Sequence, residues 1–379
     1  MDFEYSEEQQ LLADSVRKYL ANAYNFEARK KTIAASAGFS AEAWSTFAEM
    51  GLTAIPFAAE DGGFGGGAVD LMAAMEAFGD ALVVEPVLDN IGLAGRLVAR
   101  AGSPAQRADL LAGLIDGSRK LAFANYEPGR RYELDPQTTT ATPVAGGGWK
   151  LDGSKVVVIG APLADTLIVS ARSPKGTSLF VVDRAAPGVS TSAYRTVDGQ
   201  RAADITLSGV QVSADALLGS DGGALPAIEE AVDFATALAC ADAVGAMKSA
   251  NDATLEYLKT RKQFGMPIGS FQALQHRMVD MFIACEFARS MAILAATRVD
   301  AAANATGDAA IVDRKIGVSQ AMVRVADAAR LVSQESVQLH GGMGMTEELK
   351  VSHTFRRLTV LGQRFGDADH HLARLAALG

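Results

Sequence analysis

Residues able to grip a phosphorylated, planar ligand gather in one stretch of this sequence, Arg261-Lys262-Gln263-Phe264-Gly265-Met266-Pro267-Ile268-Gly269-Ser270-Phe271-Gln272. A guanidinium offers a rigid fork of donors matched to phosphate, and a phenyl ring offers a face on which a planar base can lie. Gly265, Pro267 and Gly269 turn the chain, with amides at Gln263 and Gln272 on either side. Taken alone, the stretch also fits an ordinary corner between two helices with a solvated arginine.

Other candidates carry less. Gly62, Gly63, Gly65, Gly66 and Gly67 form a glycine-rich run, but no Gly-Lys-Ser/Thr follows and no strand feeds it, so a structural loop is expected. Gly342-Met343-Gly344-Met345-Thr346-Glu347 lacks the third glycine of a dinucleotide fingerprint. His370 and His371 adjoin Asp367 and Asp369, yet neighbouring helical residues point about 100° apart and do not readily share one ion, so no metal site is expected. His340 and His353 read as packing or hydrogen-bonding residues, and Met278, Met281 and Met291 as core filler. Arg356 and Arg357 meet either a phosphate or acids such as Glu347 and Glu348; the acids are the expectation.

These residues need elements to position them. Ala243, Val244, Met247, Ala250, Leu255 and Leu258 recur at three- and four-residue spacing and predict a helix ending near Thr260, with the next starting at Ser270. Apolar stripes over residues 224–260, 270–300, 308–340 and 348–377 predict four long helices in an up-and-down bundle. Before them, residues 122–223 form short β-rich runs at 149–151, 155–159, 166–171, 179–182 and 205–212, separated by turn residues. Strands so closely spaced, without helices between them, imply an antiparallel β domain. Residues 1–121 are helical in pattern, opening with a capping box at Ser6 and Gln9. The predicted organisation is α+β: an N-terminal helical domain (1–121), a middle β domain (122–223) and a C-terminal four-helix domain (224–379).

At 379 residues, 49% hydrophobic and 21% charged, the chain has a sizeable core and no tract resembling a disordered tail or a membrane span. Its net charge of −9 argues against nucleic acid as a partner. The acidic start, Met1-Asp2-Phe3-Glu4-Tyr5-Ser6-Glu7-Glu8, lacks the layout of a secretory signal, so a cytoplasmic location is expected. Cys240 and Cys285 lie in apolar helical surroundings and read as buried free thiols.

The order of the three domains, with Arg261-x-Gln263-Phe264-Gly265-x-Pro267-Ile268 followed by Phe271-Gln272, and Gln338-Leu339-His340-Gly341-Gly342-Met343-Gly344 further on, resembles the acyl-CoA dehydrogenase family over the full length. The resemblance implies FAD as cofactor and α,β-desaturation of an acyl-CoA thioester. It implies that Arg261, Gln263, Phe264, Gln272, Gln338, Gly341 and Gly342 reach across a subunit boundary to the pyrophosphate and adenosine end of FAD. It also implies a carboxylate base, donors for the developing enolate, and electron-transfer flavoprotein as electron acceptor.

At several family positions this chain departs from the pattern. The late Tyr-Glu-Gly-Thr run appears as Phe365-Gly366-Asp367-Ala368, with Gly366 where the base would stand. A second branch of the family places its Glu where this chain has Ala235. The flavin-facing Gly-x-Lys-x-Trp-Ile-Thr run appears as Gly153-Ser154-Lys155-Val156-Val157-Val158-Ile159, so Val157 replaces the stacking ring and Ile159 the hydroxyl. Thr-Glu-Pro followed by Gly-Ser-Asp becomes Tyr126-Glu127-Pro128-Gly129-Arg130-Arg131-Tyr132. No catalytic residue is therefore expected. The sequence is similar to the small chain of bacterial heterotetramers that act in steroid side-chain breakdown or on dicarboxyl-CoA esters, including pimeloyl-CoA dehydrogenase. That likeness implies an α2β2 assembly with a larger partner. Two other readings stay open: a self-sufficient homotetramer using Asp367 or Asp369 as an unusual base, and a scaffold that keeps only the fold.

Overall fold

A computed structural model describes residues 6–305 and 307–378; residues 1–5, the start of the acidic opening, lie outside them. Helix α1 (Glu7–Ala23) begins with the expected capping box, the Ser6 hydroxyl accepting the Gln9 N–H and the Gln9 side chain accepting the Ser6 N–H. Then come α2 (Phe26–Ala34), α3 (Ala41–Glu49), α4 (Ala68–Ala81), a buried π-helical segment (Leu88–Gly95), α5 (Arg96–Ala101) and α6 (Pro104–Ile115). Among the described residues two compact units emerge, one of residues 6–31, 67–83, 236–305 and 307–378, the other of residues 32–66 and 84–235.

The second unit holds the sheet. Its strands are β1 (Leu121–Ala124), β2 (Thr140–Pro143), β3 (Trp149–Ile159), β4 (Thr166–Ser173), β5 (Gly176–Asp183), β6 (Val189–Arg195), β7 (Arg201–Val212) and β8 (Leu217–Leu218), in the order β6-β7-β3-β2-β4-β5-β8. Neighbours pair antiparallel except that β1 lies parallel to β4, Leu121 opposite Thr166, and β2 touches β4 in parallel at Thr140. Leu151, Leu167, Val169, Phe180, Val182 and Ile205 alternate inward and build its core. The runs predicted at 149–151 and 155–159 are one strand, β3, whose register against β7 shifts after Leu151 and again between Lys155 and Val158. Alternation fails to announce β6, whose Ser and Thr residues leave it half exposed.

The other unit is helical. Helix α7 (Leu225–Thr260) is continuous and gives its later turns to this unit; a small hairpin of β9 (Lys262–Gln263) and β10 (Met266–Pro267) links it to α8 (Gln272–Ala302). Then follow α9 (Asp308–His340), α10 (Lys350–Leu361) and α11 (Ala368–Leu378). The fourth predicted helix, 348–377, is thus two short ones. Gly366 adopts φ +126°, a conformation no helix contains, and breaks the stripe at the corner. Helix α4 packs backbone to backbone on α7: a Cβ on Gly79 would sit 1.9 Å from the Asp242 carbonyl oxygen, and one on Gly245 1.8 Å from that of Glu76. The Arg357 guanidinium is buried against the Asp242 carboxylate, and Arg356 pairs at 2.9 Å with Glu347. Glu347 was an expected partner; Asp242, from a distant helix, was not. Cys240 and Cys285 are buried and free, and burial pushes both thiols up to about 12. Among the described residues no helix is long and apolar enough to cross a membrane.

Candidate functional site

Helices α7 and α9 end at the same corner of the helical unit. Arg261 continues the last turn of α7, its N–H donating to the Tyr257 carbonyl at 2.8 Å, and the Ile268 N–H returns to the Arg261 carbonyl at 2.8 Å to close the hairpin. Between them the chain turns at Phe264 (φ +55°) and Gly265 (φ +80°), both left-handed, as a two-residue hairpin requires. Asn-Gly is the usual occupant of such a turn. A phenylalanine there is strained, and this one is 90% exposed, its ring meeting only the edge of Phe271 at a centroid distance of 6.0 Å among the described ring contacts. Strain and exposure together mark a side chain held out for something to bind.

Arg261, Gln263 and Gln272 are also exposed, as are Gln338, Gly341 and Gly342 at the end of α9. A Cβ on Gly265, Gly341 or Gly342 would meet nothing within 4 Å, so a ligand's backbone can come close at each. The two segments are joined by the Tyr257 and His340 rings, stacked 4.4 Å apart at 27°. Arg277 of α8 meets Glu335 of α9 at 2.5 Å nearby. The residues expected to bind the cofactor thus lie exposed on two segments that the Tyr257–His340 stack joins, where they present a guanidinium, an aromatic face, amides and accessible backbone.

The positions for a base look different. Ala235 is fully buried on α7. Gly366 is buried too, and a Cβ built on it would lie 2.4 Å from Cδ2 of His370 and 2.7 Å from Nε2 of His371. The two imidazoles, edge to face at 5.2 Å, fill the space a longer side chain would need. Asp367 accepts the His370 N–H at 2.9 Å and so caps α11. With Asp369 it borders a groove of about 490 Å³ lined also by Asp327, Arg330, Phe355 and Gln363.

In the sheet unit the frame is intact where the contact residues differ. The Lys155 ammonium is wholly buried and donates to the Asn125 carbonyl (2.9 Å), Glu127 (3.1 Å) and the Ser170 hydroxyl (3.2 Å). Burial pushes Lys155 down to about 8, against the opposing pull of Glu127. Burial alone would raise Glu127, but the N–H groups of Thr138, Gln137 and Thr139 and the charge of Lys155 hold its carboxyl well below the usual range. This pair clamps the segment after β1 to β3. Sequence reasoning singled out neither partner for that role, although a lysine running directly into Val156-Val157-Val158 on a strand is a signal for a buried pair. Val157, by contrast, stands 52% exposed at φ +53° on the β3 bulge, its N–H held by the Asp204 carboxylate at 3.1 Å. Ile159 is half-buried, and Arg131 lies over the Tyr132 ring at 5.8 Å.

The glycine-rich run is a structural loop. The N–H groups of Phe64, Gly65 and Gly66 donate to the carbonyls of Ala54, Phe57 and Ile55, which leaves them unavailable to a phosphate.

A helical segment, a bulged sheet and a helical bundle follow one another along the chain. Models of the acyl-CoA dehydrogenase N-terminal, middle and C-terminal domains match residues 6–118, 122–211 and 223–377. The chain belongs to the acyl-CoA dehydrogenase family, whose members oxidise acyl-CoA thioesters with FAD. It is 31% identical over 362 residues to the acyl-CoA dehydrogenase FadE12 of Mycobacterium tuberculosis, covering 92% of this chain and 89% of that one. The solved ChsE4–ChsE5 complex from Mycobacterium tuberculosis matches with a TM-score of 0.89 at 27% identity, covering 100% of this chain and 98% of that one. A Tcur3481–Tcur3483 steroid ACAD variant matches with a TM-score of 0.86 at 28% identity, covering 98% and 97%. Set against FAD, the residues divide. The exposed corner offers a guanidinium, amides and an aromatic face, chemistry that suits a pyrophosphate and a planar base, whereas Val157 and Ile159 carry neither an aromatic plane nor a hydroxyl.

Proposed function

We propose that this chain is the non-catalytic subunit of a hetero-oligomeric, FAD-dependent acyl-CoA dehydrogenase. Arg261, Gln263, Phe264, Gln272, Gln338, Gly341 and Gly342 hold the pyrophosphate and adenosine end of FAD seated on a larger partner chain, in an α2β2 assembly. The partner supplies the carboxylate that takes the α-proton. Bound FAD supplies the hydride acceptor. Arg261 neutralises pyrophosphate charge, Phe264 covers the adenine face, and Gly341 and Gly342 admit the dinucleotide close to the backbone.

One observation carries this reading: side chains suited to a dinucleotide are held out to solvent at one corner, while the family's base position is a buried glycine walled in by His370 and His371. The likeness to the two-chain ChsE4–ChsE5 complex supports it. A steroid or dicarboxylic acyl group, electron-transfer flavoprotein as electron acceptor, a cytoplasmic location and the three-domain division at residues 121 and 223 belong to the same proposal. Asp367, committed to capping α11, is poorly placed to serve as a self-sufficient base.

The test is the complex purified through a tag on this chain. Arg261→Ala is expected to weaken FAD binding by about 10- to 100-fold, the scale of a charge-assisted hydrogen bond of about 1.5–3 kcal/mol. A lone chain that binds FAD stoichiometrically and oxidises an acyl-CoA at full rate would overturn the proposal.

A further inference from the structure

We infer that Tyr257 and His340 are positioning residues that set the spacing between the two FAD-gripping segments, 261–272 and 338–345. The inference rests on the proposed function for its ligand and on the geometry for its mechanism.

Each segment is closed upon itself. In the first, the Ile268 N–H reaches the Arg261 carbonyl, and Gly269 packs so tightly on the end of α7 that a Cβ would lie 2.9 Å from the Leu258 carbonyl oxygen. In the second, a Cβ on Gly344 would lie 2.6 Å from the Val337 carbonyl oxygen, and the Thr346 hydroxyl donates to the Met343 carbonyl at 2.9 Å. Two internally rigid segments make one grip only if something fixes them relative to each other.

The Tyr257–His340 stack stands at that joint. Tyr257 accepts the Arg261 N–H through its carbonyl, so its ring and the Arg261 backbone move together. His340 immediately precedes Gly341, is 5% exposed, and its Nδ1–H donates to the Ser336 carbonyl at 2.8 Å, which fixes the plane of the ring. Centroids 4.4 Å apart with planes inclined by 27° place the rings in face-to-face contact, so one segment cannot swing without unstacking them. FAD's pyrophosphate and adenosine form a ligand of fixed reach, and a grip that wanders loses contacts at one end as it makes them at the other. Neither residue touches the ligand in this account; both act through the segments that do.

Spin labels at Lys259, just before the first segment, and at Met345, the last residue of the second, both exposed and neither among the residues assigned to FAD, report the spacing in the purified complex, and flavin absorbance per complex reports retention. The wild type is expected to show one narrow distance. Tyr257→Leu and, from the other side of the stack, His340→Ala should each broaden it and weaken FAD binding by about fivefold. Tyr257→Phe keeps the ring and should match the wild type in both readouts, a rescue that general destabilisation would not give. If Tyr257→Leu and His340→Ala leave the distance narrow while Arg261→Ala releases FAD, the spacing role is wrong and the proposed function stands. If Arg261→Ala keeps its FAD, the proposed function fails and this inference goes with it.

Discussion

Two corners of the helical unit treat chemically capable residues in opposite ways. Where α7 and α9 end, Arg261, Gln263, Phe264 and Gln338 face solvent, and Phe264 does so in a left-handed turn. Where α10 gives way to α11, Phe365, Gly366 and His371 are buried and the imidazoles occupy the room beside Gly366. An exposed aromatic in a strained turn costs free energy that folding does not return. A packed corner costs nothing of the kind. The first arrangement makes sense when a ligand covers it, the second when the position has only to support the fold. The sheet unit repeats the lesson within one element, since Lys155 and Glu127 still clamp β3 while Val157, two residues away, presents an aliphatic side chain to solvent.

The sharpest way to break the comparison is to restore a carboxylate at the packed corner. Gly366→Glu combines a φ of +126°, contact with two imidazoles and a buried charge, and should cost about 3 kcal/mol or more, read as a lowered midpoint in denaturant. A variant as stable as the wild type that oxidises an acyl-CoA unaided would show that this corner remains a base site. At the exposed corner the converse holds. Phe264→Asn places the residue a left-handed hairpin turn prefers, so stability should hold or rise by about 0.5–1 kcal/mol while FAD binding to the complex weakens by about five- to tenfold. Loss of stability without loss of FAD would mean that the ring serves the fold.

Sequence periodicity carries the helices well because α7, α8 and α9 bury faces against neighbours over many turns. It fails at α10 and α11, where an apolar stripe continues in phase through a glycine corner. It also underrates the sheet: β2 and β6 are rich in Thr and Ser, and β3 looks like two runs because Asp152-Gly153-Ser154, where its register against β7 first shifts, interrupts the apolar pattern. The candidate cofactor residues are legible because they cluster in sequence. The Tyr257–His340 stack and the Arg357–Asp242 pair are not, since each joins residues far apart in the chain through contacts only the fold creates.

Acid should loosen both corners, and by the smallest margin of these tests. Burial lowers the titration of His340 at one corner and of His370 at the other, as it does for His353. In the unfolded chain these groups gain a proton near 6.5, whereas in the folded protein they resist it until lower pH. Their neutral forms therefore contribute stability that is fully present above about pH 6.5 and is lost as pH falls through the lowered folded values. Glu127 and Glu230, also held below their usual range, withdraw their contribution only below about pH 4.5, so the two windows separate. Denaturant midpoints from pH 7.5 to 5 should fall by an amount on the order of 1 kcal/mol in stability, and His340→Gln should flatten part of that slope. Hydrogen exchange distinguishes the corners: relative to the intrinsic rate at each pH, acid should lower protection at residues 341–345 through His340 and at 366–371 through His370. A flat profile to pH 5 would mean that the folded imidazoles take up their protons over the same range as the unfolded ones, so that burial does not hold them neutral.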